Sequence, residues 1–276
     1  MAGLQLHSMT KRSPKSFRPL RVFSFSRERD RLSSSHTGEM RGNHEGGNMK
    51  EVVMVLVFLA ILFSTRGPTI AGGIEDPGAT LNKGTWAFGP EISGVGREIS
   101  DRDKVNYDTE SWRLLLKGAY GITDWLEAFG RMGGATLKIR GTSFDSSLGI
   151  AVGGGLKGTF LDPPGHPLRY GLGGQFFYMQ TDSQGATAKW FEYDIWLGGS
   201  YKNLRTLTPY GGIVYSRVDG KIENFNPKPA LDEFKSPTAA GIFFGISWPS
   251  SQNTNLGIEA RLFSENSGTI SLNYDF

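Results

Sequence analysis

The chain has 276 residues, with 38 Gly, 18 Phe and no Cys. Without Cys there is no disulfide framework, thiolate metal site, Cys nucleophile or lipid-anchored amino-terminal Cys. The formal charge of +3 suggests an anionic partner, but residues 1–71 hold 11 of the 30 Lys/Arg and 5 of the 27 Asp/Glu, so the remainder carries −3 and a nucleic-acid role loses its support.

In chain order, residues 1–48 are rich in Arg, Lys, Ser and Gly and hold no helix or strand period. They read as a disordered basic extension, or a start placed too early. Met49-Lys50 opens a second beginning. The 12 apolar residues at 52–63 are too few for a membrane helix, which takes roughly 20, and match the apolar region of a secretory leader. Thr69-Ile70-Ala71 supplies small residues before a cut. The reading is therefore a signal peptide at 49–71, cleavage after Ala71, a linker at 72–83 and one domain at 84–276.

From Thr85 onward, apolar and polar residues alternate in ten ribbons, the period of a strand with two unlike faces. Abundant Gly and aromatic residues fit such a fold. Trp86, Phe88, Pro90 and Ile92 oppose Ala87, Gly89 and Glu91 in the first ribbon. In the second, Trp112, Leu114 and Leu116 oppose Arg113 and Lys117. Leu126, Ala128 and Met132 oppose Glu127, Phe129 and Arg131 in the third. Leu148, Ile150, Val152 and Leu156 oppose Ala151 and Lys157 in the fourth, and Leu168, Tyr170 and Leu172 oppose Arg169 in the fifth. Phe191, Ile195 and Leu197 oppose Glu192, Asp194 and Trp196 in the sixth. The seventh, at 210–218, has no clear phase. Ile242, Phe244 and Ile246 define the eighth; Leu256 and Ile258 oppose Glu259 and Arg261 in the ninth. Short turns at 121–124, 162–167, 203–207 and 249–254 alternate with polar stretches at 93–110, 133–146, 181–188 and 219–236, which read as long loops.

The tenth ribbon closes the chain as G-T-I-S-L-N-Y-D-F, with Ile270, Leu272, Tyr274 and Phe276 on one face and Asp275 on the other. A last strand of alternating residues ending in Phe resembles bacterial outer-membrane β-barrel proteins, in particular the small opacity-type and outer membrane protein A-like barrels. The resemblance implies an all-β fold, a closed antiparallel transmembrane β-barrel of about ten strands (eight is the alternative count). It also implies a Gram-negative outer-membrane location and outer-membrane lipid as surroundings. Ile270, Leu272, Tyr274 and Phe276 would then form the signal read by the barrel assembly machinery. Aromatics at ribbon ends (Trp86, Trp112, Tyr120, Tyr170, Tyr201, Trp248) suit the two interfaces. Apolar faces would meet lipid. The other faces would enclose Glu91, Arg113, Lys117, Glu127, Arg131, Lys157, Arg169, Glu192, Asp194, Glu259, Arg261 and Asp275, six acids and six bases that a dry core tolerates only when paired.

The chemistry-bearing residues point away from catalysis. His166 is the one His after residue 71 and sits in a turn, D-P-P-G-H-P. Asp101, Asp103 and Asp108 have no His beside them, and Glu192 and Asp194 read as partners for Arg and Lys. No phosphate loop, zinc motif or EF-hand loop is present. The expectation is a non-enzymatic barrel without cofactor or metal, meeting an extracellular partner through long loops. A narrow pore is one alternative. The other is a soluble barrel for an apolar ligand, because Gly84-Thr85-Trp86 resembles the G-x-W signature of lipocalins.

Overall fold

The computed structural model describes residues 73–202, 204, 206–224 and 232–276. The extension at 1–48 and the leader at 49–71 lie outside the described residues. Twelve strands form one antiparallel sheet: β1 (Trp86–Asp101), β2 (Asn106–Thr123), β3 (Leu126–Ala135), β4 (Lys138–Ile139), β5 (Gly149–Leu161), β6 (Leu168–Ser183), β7 (Ala186–Tyr201), β8 (Thr208–Glu223), β9 (Phe234–Lys235), β10 (Ala240–Pro249), β11 (Thr254–Leu262) and β12 (Asn266–Asp275). Neighbours pair β1–β2–β3–β5–β6–β7–β8–β10–β11–β12, and β12 pairs back onto β1, so ten strands close into a barrel. These ten are the ten ribbons of the sequence.

Closure brings β1 and β12 close together. Phe88 opposes Tyr274, and the ladder resumes at Glu91 opposite Ser271. Between them, Pro90 has no N–H to donate. A Cβ at Gly89 would sit 1.5 Å from the carbonyl oxygen of Leu272, so only glycine fits there.

Two features differ from expectation. The stretches at 93–110 and 181–188 are largely strand: β1 and β2 are joined by residues 102–105 alone, and β6 and β7 by Gln184 and Gly185. Both of those turn residues take positive φ, 49° and 87°, as a two-residue hairpin requires. Polarity hid these extensions. Along β1 the inward parity of Glu91 continues through Ser93, Val95, Arg97 and Ile99, while the outward face changes from Ile92 to Glu98. Hydrogen bonding continues where the oily face ends. The seventh ribbon is β8, with Tyr210, Val214 and Val218 buried and Ile213 and Tyr215 exposed. Apolar residues on both of its faces blur its phase.

The extended ends form a second, narrower tier. β9 pairs with both β8 and β1, bridging above the ends of β10–β12. On the other side β4 pairs with β2, Lys138 bridges to Asp145, and the Ser147 amide donates to Asp182 of β6 at 3.1 Å. Inside this tier pack Ile99, Leu137, Ile139, Phe144, Met179, Trp190, Val218, Ile222 and Phe234, all at most 3% exposed. The tier has polar residues outside and apolar residues inside, the reverse of the strands below it.

Candidate functional site

The outer wall of the ten-strand tier is continuously apolar. Ile92, Leu114, Leu116, Met132, Ile150, Leu156, Leu172, Phe176, Ile195, Leu197, Ile213 and Ile270 project from it, exposed. Ile150 is 70% exposed, a position that water would penalise and acyl chains would not. At the end carrying the short turns, Trp86, Trp125, Tyr201, Trp248, Tyr274 and Phe276 are exposed, with Tyr120 tilted against Trp86 at 4.6 Å between ring centroids. Toward the narrow tier the band ends at Trp112, Phe191 and Tyr215, also exposed. On β2 the apolar run lies between Trp112 and Tyr120, close to the roughly 9–11 residues that a tilted strand needs to cross a bilayer.

The ten-strand tier has the build of a transmembrane β-barrel, apolar outside and charged within. A scan against protein-family models returns no match, and a search of curated proteins returns none either. Among similar solved structures is the COG4313 outer membrane channel from Pseudomonas putida F1, at 12% identity and TM-score 0.48, covering 75% of this chain and 100% of that one. Another is the translocator domain of the autotransporter NalP from Neisseria meningitidis, at 11% identity and TM-score 0.40, covering 83% and 98%. A third is the outer membrane protease OmpT from Escherichia coli, at 12% and 0.38, covering 71% and 99%.

The barrel's lumen is filled. Of the twelve charged residues read as inward-facing, Glu91, Arg113, Lys117, Glu127, Arg131, Lys157, Glu192, Asp194, Glu259 and Arg261 are buried, while Arg169 and Asp275 are half-buried near the turn end. Each strand delivers its charge by parity alone, one side chain in every two pointing inward. Arg113 pairs with Glu192 at 2.9 Å, and Trp190 Nε1 donates to the same carboxylate at 3.1 Å. A chain of contacts then crosses the lumen. Arg131 lies 3.2 Å from Glu91 and donates to Gln175, which donates to Asp194 at 2.7 Å. Asp194 pairs with Arg261 at 2.9 Å, and Arg261 reaches Glu259 at 3.2 Å and Glu265 at 3.3 Å. Glu265 pairs with Arg97 at 2.7 Å. Arg113 also stacks over Phe177, 4.1 Å from the ring centroid. In this layer five carboxylates, Glu91, Glu192, Asp194, Glu259 and Glu265, face four guanidinium groups.

Arg97 and Glu265 also belong to this network, although the sequence reading placed Arg97 in the loop at 93–110 and did not single out Glu265. The inward parity running from Glu91 to Ile99 was the available signal for Arg97. The segment at 73–83, read as a linker, forms no strand and is bound by lumenal groups. The Ile74 and Glu75 amides both donate to Glu259 at 2.9 Å, and the Leu81 amide donates to Glu127 at 3.1 Å. Lys117 pairs with Glu75, Arg169 with Asp76, and Lys157 with Glu127 at 3.5 Å. Ile74 packs with Trp196, Tyr210, Val214 and Phe243. Nothing in the sequence period of this segment marks it, because its contacts are set by the barrel that surrounds it.

At the turn end a cavity of about 160 Å³ is lined by Glu75, Lys117, Glu127, Lys157, Asn273 and Asp275. This is smaller than the roughly 300–1,000 Å³ of ordinary ligand sites. His166 is an exposed turn residue whose Nδ1 accepts from the Leu168 amide at 3.2 Å. Among the described residues, no three His, Cys, Asp or Glu side chains are grouped to hold a metal ion.

Proposed function

We propose that this protein is a sealed outer-membrane barrel that serves as a surface-contact element held in the membrane by its own strands, without transport through its lumen and without catalysis. The observation that carries this reading is the filled interior: a crossing ion-pair network below and an apolar core in the narrow tier above. Solutes need a wet path, and hydrated ions are not admitted by a plug of Ile, Leu, Phe and Trp side chains. Among the described residues most of the buried lumenal charges are paired with one another, which argues against an acid–base pair poised for a substrate. A soluble ligand-binding barrel is disfavoured by the apolar outer wall and the charged interior, the reverse of an apolar cup.

In this reading the short turns face the periplasm and the narrow tier rises outward. Its rim carries interspersed charges, including Glu98, Asp108, Lys138, Arg140 and Lys221, all exposed. A surface partner would meet this rim, where the stretches at 93–110 and 181–188 are largely strand and only the connections between strands project further. Ile270, Leu272 and Phe276 stand exposed on the wall, available to the assembly machinery that would read the last strand. Planar-bilayer recording tests the sealed lumen. The purified barrel is expected to insert without conductance steps; stable ohmic steps would turn the assignment to the pore.

A further inference from the structure

Charge on the outside of the narrow tier is unevenly matched around the barrel. Beside β2 and β4 each cation has its own acid: Arg140 pairs with Glu110, and Lys138 with Asp145 at 3.0 Å. Glu98 and Asp108 add exposed acids on that side. On β7, β8 and β9, by contrast, four cations share two carboxylates. Lys189 and Lys221 both reach Glu223 Oε1, at 3.0 and 2.6 Å, so their ammonium groups are near neighbours. They are also register partners, and like charges directly opposite each other are destabilising. The residue opposite Lys189 on its other side is the neutral Gln180. Arg217 and Lys235 reach opposite oxygens of Asp219, each at the long distance of 3.8 Å. Each trio of two cations and one carboxylate carries one positive charge in excess. Both trios stand at the upper edge of the apolar wall. Arg217 is the next outward residue above the exposed Tyr215 and lies opposite Tyr193; Lys189 is the next above the exposed Phe191. One outward step is about 7 Å along a strand, less in height because barrel strands tilt. The polar layer on each side of the hydrocarbon core is about 5–8 Å thick.

We propose that this face of β7, β8 and β9 binds anionic lipid of the surrounding leaflet, each trio taking one headgroup phosphate. The inference rests on the reading in which the narrow tier rises outward, so the ligand is a phosphorylated lipid of the outer leaflet. A phosphate between Lys189 and Lys221 supplies the second anion that this like-charge pair lacks. At the other trio the Arg217 guanidinium offers a planar fork of donors that matches phosphate geometry. Basic residues at a membrane surface attract anionic headgroups over about a Debye length, and these cations stand within that range of them. Asp219 and Glu223 lie four residues apart on β8, about 13 Å along the strand, so a single phosphate does not serve both trios. A headgroup that bears two phosphates can span them. The other flank presents Glu98, Asp108 and Glu110 to the same leaflet, so the lipid is held on one side of the barrel.

The full chain, expressed with export in a Gram-negative host and extracted into neutral detergent, supplies the test. Native mass spectrometry titrates it with lipid A carrying two phosphates, with phosphatidylcholine and with inorganic phosphate. Lipid A is expected to bind at least about tenfold more tightly than phosphatidylcholine, and the preference to shrink as salt is raised. Lys189→Gln, Arg217→Gln and Lys221→Gln together are expected to weaken lipid A binding about tenfold. Lys221→Gln alone, the most exposed of the three, is expected to weaken it about threefold and serves if the triple variant fails to fold. Lys138→Gln with Arg140→Gln, on the evenly paired flank, is expected to leave it unchanged. Equal affinity for the two lipids, unchanged lipid A binding in the triple and single variants, or inorganic phosphate binding as tightly as lipid A overturns the inference. Lys221→Cys reads the orientation separately: a maleimide that does not cross the outer membrane is expected to label it on intact cells. Labelling without a lipid preference overturns this inference and leaves the barrel reading standing. A folded outer-membrane barrel that is not labelled overturns the orientation and the outer-leaflet assignment together.

Discussion

Arg113 and Glu192 show what a single side chain is worth inside this barrel. Both are about 3% exposed, 2.9 Å apart, and fixed by Phe177 and Trp190 on either side. Taking two ions out of water costs several kcal/mol each, and their attraction recovers that cost only while both are present. Arg113→Ala is therefore expected to destabilise the barrel by about 3–5 kcal/mol, because it leaves Glu192 buried and unpaired. The combination Arg113→Met with Glu192→Leu is expected to cost far less than Arg113→Ala. Urea unfolding in detergent, followed by the heat-dependent gel shift, measures both. Outside the membrane the same chemistry is weak. Arg102 donates to Glu233 at 3.3 Å, with both side chains more than half exposed. The hydrogen bond from Arg102 and its charge hold the Glu233 carboxyl below the ordinary carboxylate range. A folded-state value lower than the unfolded one means that any stabilisation is present above the unfolded value and is lost as pH falls through the folded one. Carbon-detected NMR titration is expected to show Glu233 moving back up toward an ordinary carboxylate in Arg102→Ala, with no measurable change in unfolding midpoint.

At the scale of the element, each long strand changes its surroundings part-way along, and the same parity serves opposite purposes in the two halves. Below, outward means lipid and inward means charge; above, outward means water and inward means apolar core. Leu116→Arg, in the middle of the apolar run of β2, is expected to cost about 2–4 kcal/mol. Glu98→Arg, on the same outward side of β1 but in the narrow tier, is expected to change stability by less than about 0.5 kcal/mol. Equilibrium unfolding into and out of lipid vesicles compares the two. This division explains what could be read from the residues. The ten ribbons were legible because lipid and charge alternate at period two over each crossing. The upper halves of β1, β2, β6 and β7 were not, because polar residues outside water-facing strands look like loop residues when hydrophobicity is the guide. β8 lost its phase for a different reason, with Ile213 and Tyr215 outside and Tyr210 and Val214 inside.

For the whole molecule, the decisive property is that ten strands narrow into a smaller ring. β10, β11 and β12 end early, β9 steps across their ends, and the lumen closes over an apolar core. Parity announced the inward charges individually, yet their partners are set by closure. Glu259 accepts from Ile74 and Glu75, 185 and 184 residues away, contacts that no local pattern encodes. The segment at 73–83 became part of the interior for the same reason.

The central claim is that the wall of the ten-strand tier faces acyl chains and the narrow tier faces water. The chain contains no Cys, so single-cysteine spin labels can be placed without background. In vesicles, labels at Ile195, Leu197 and Ile213 are expected to relax with dissolved oxygen and resist a water-soluble nickel chelate, whereas labels at Lys189 and Lys221 are expected to do the opposite. Equal access of the nickel chelate to Ile195, Ile213 and Lys221 would contradict a lipid-facing wall.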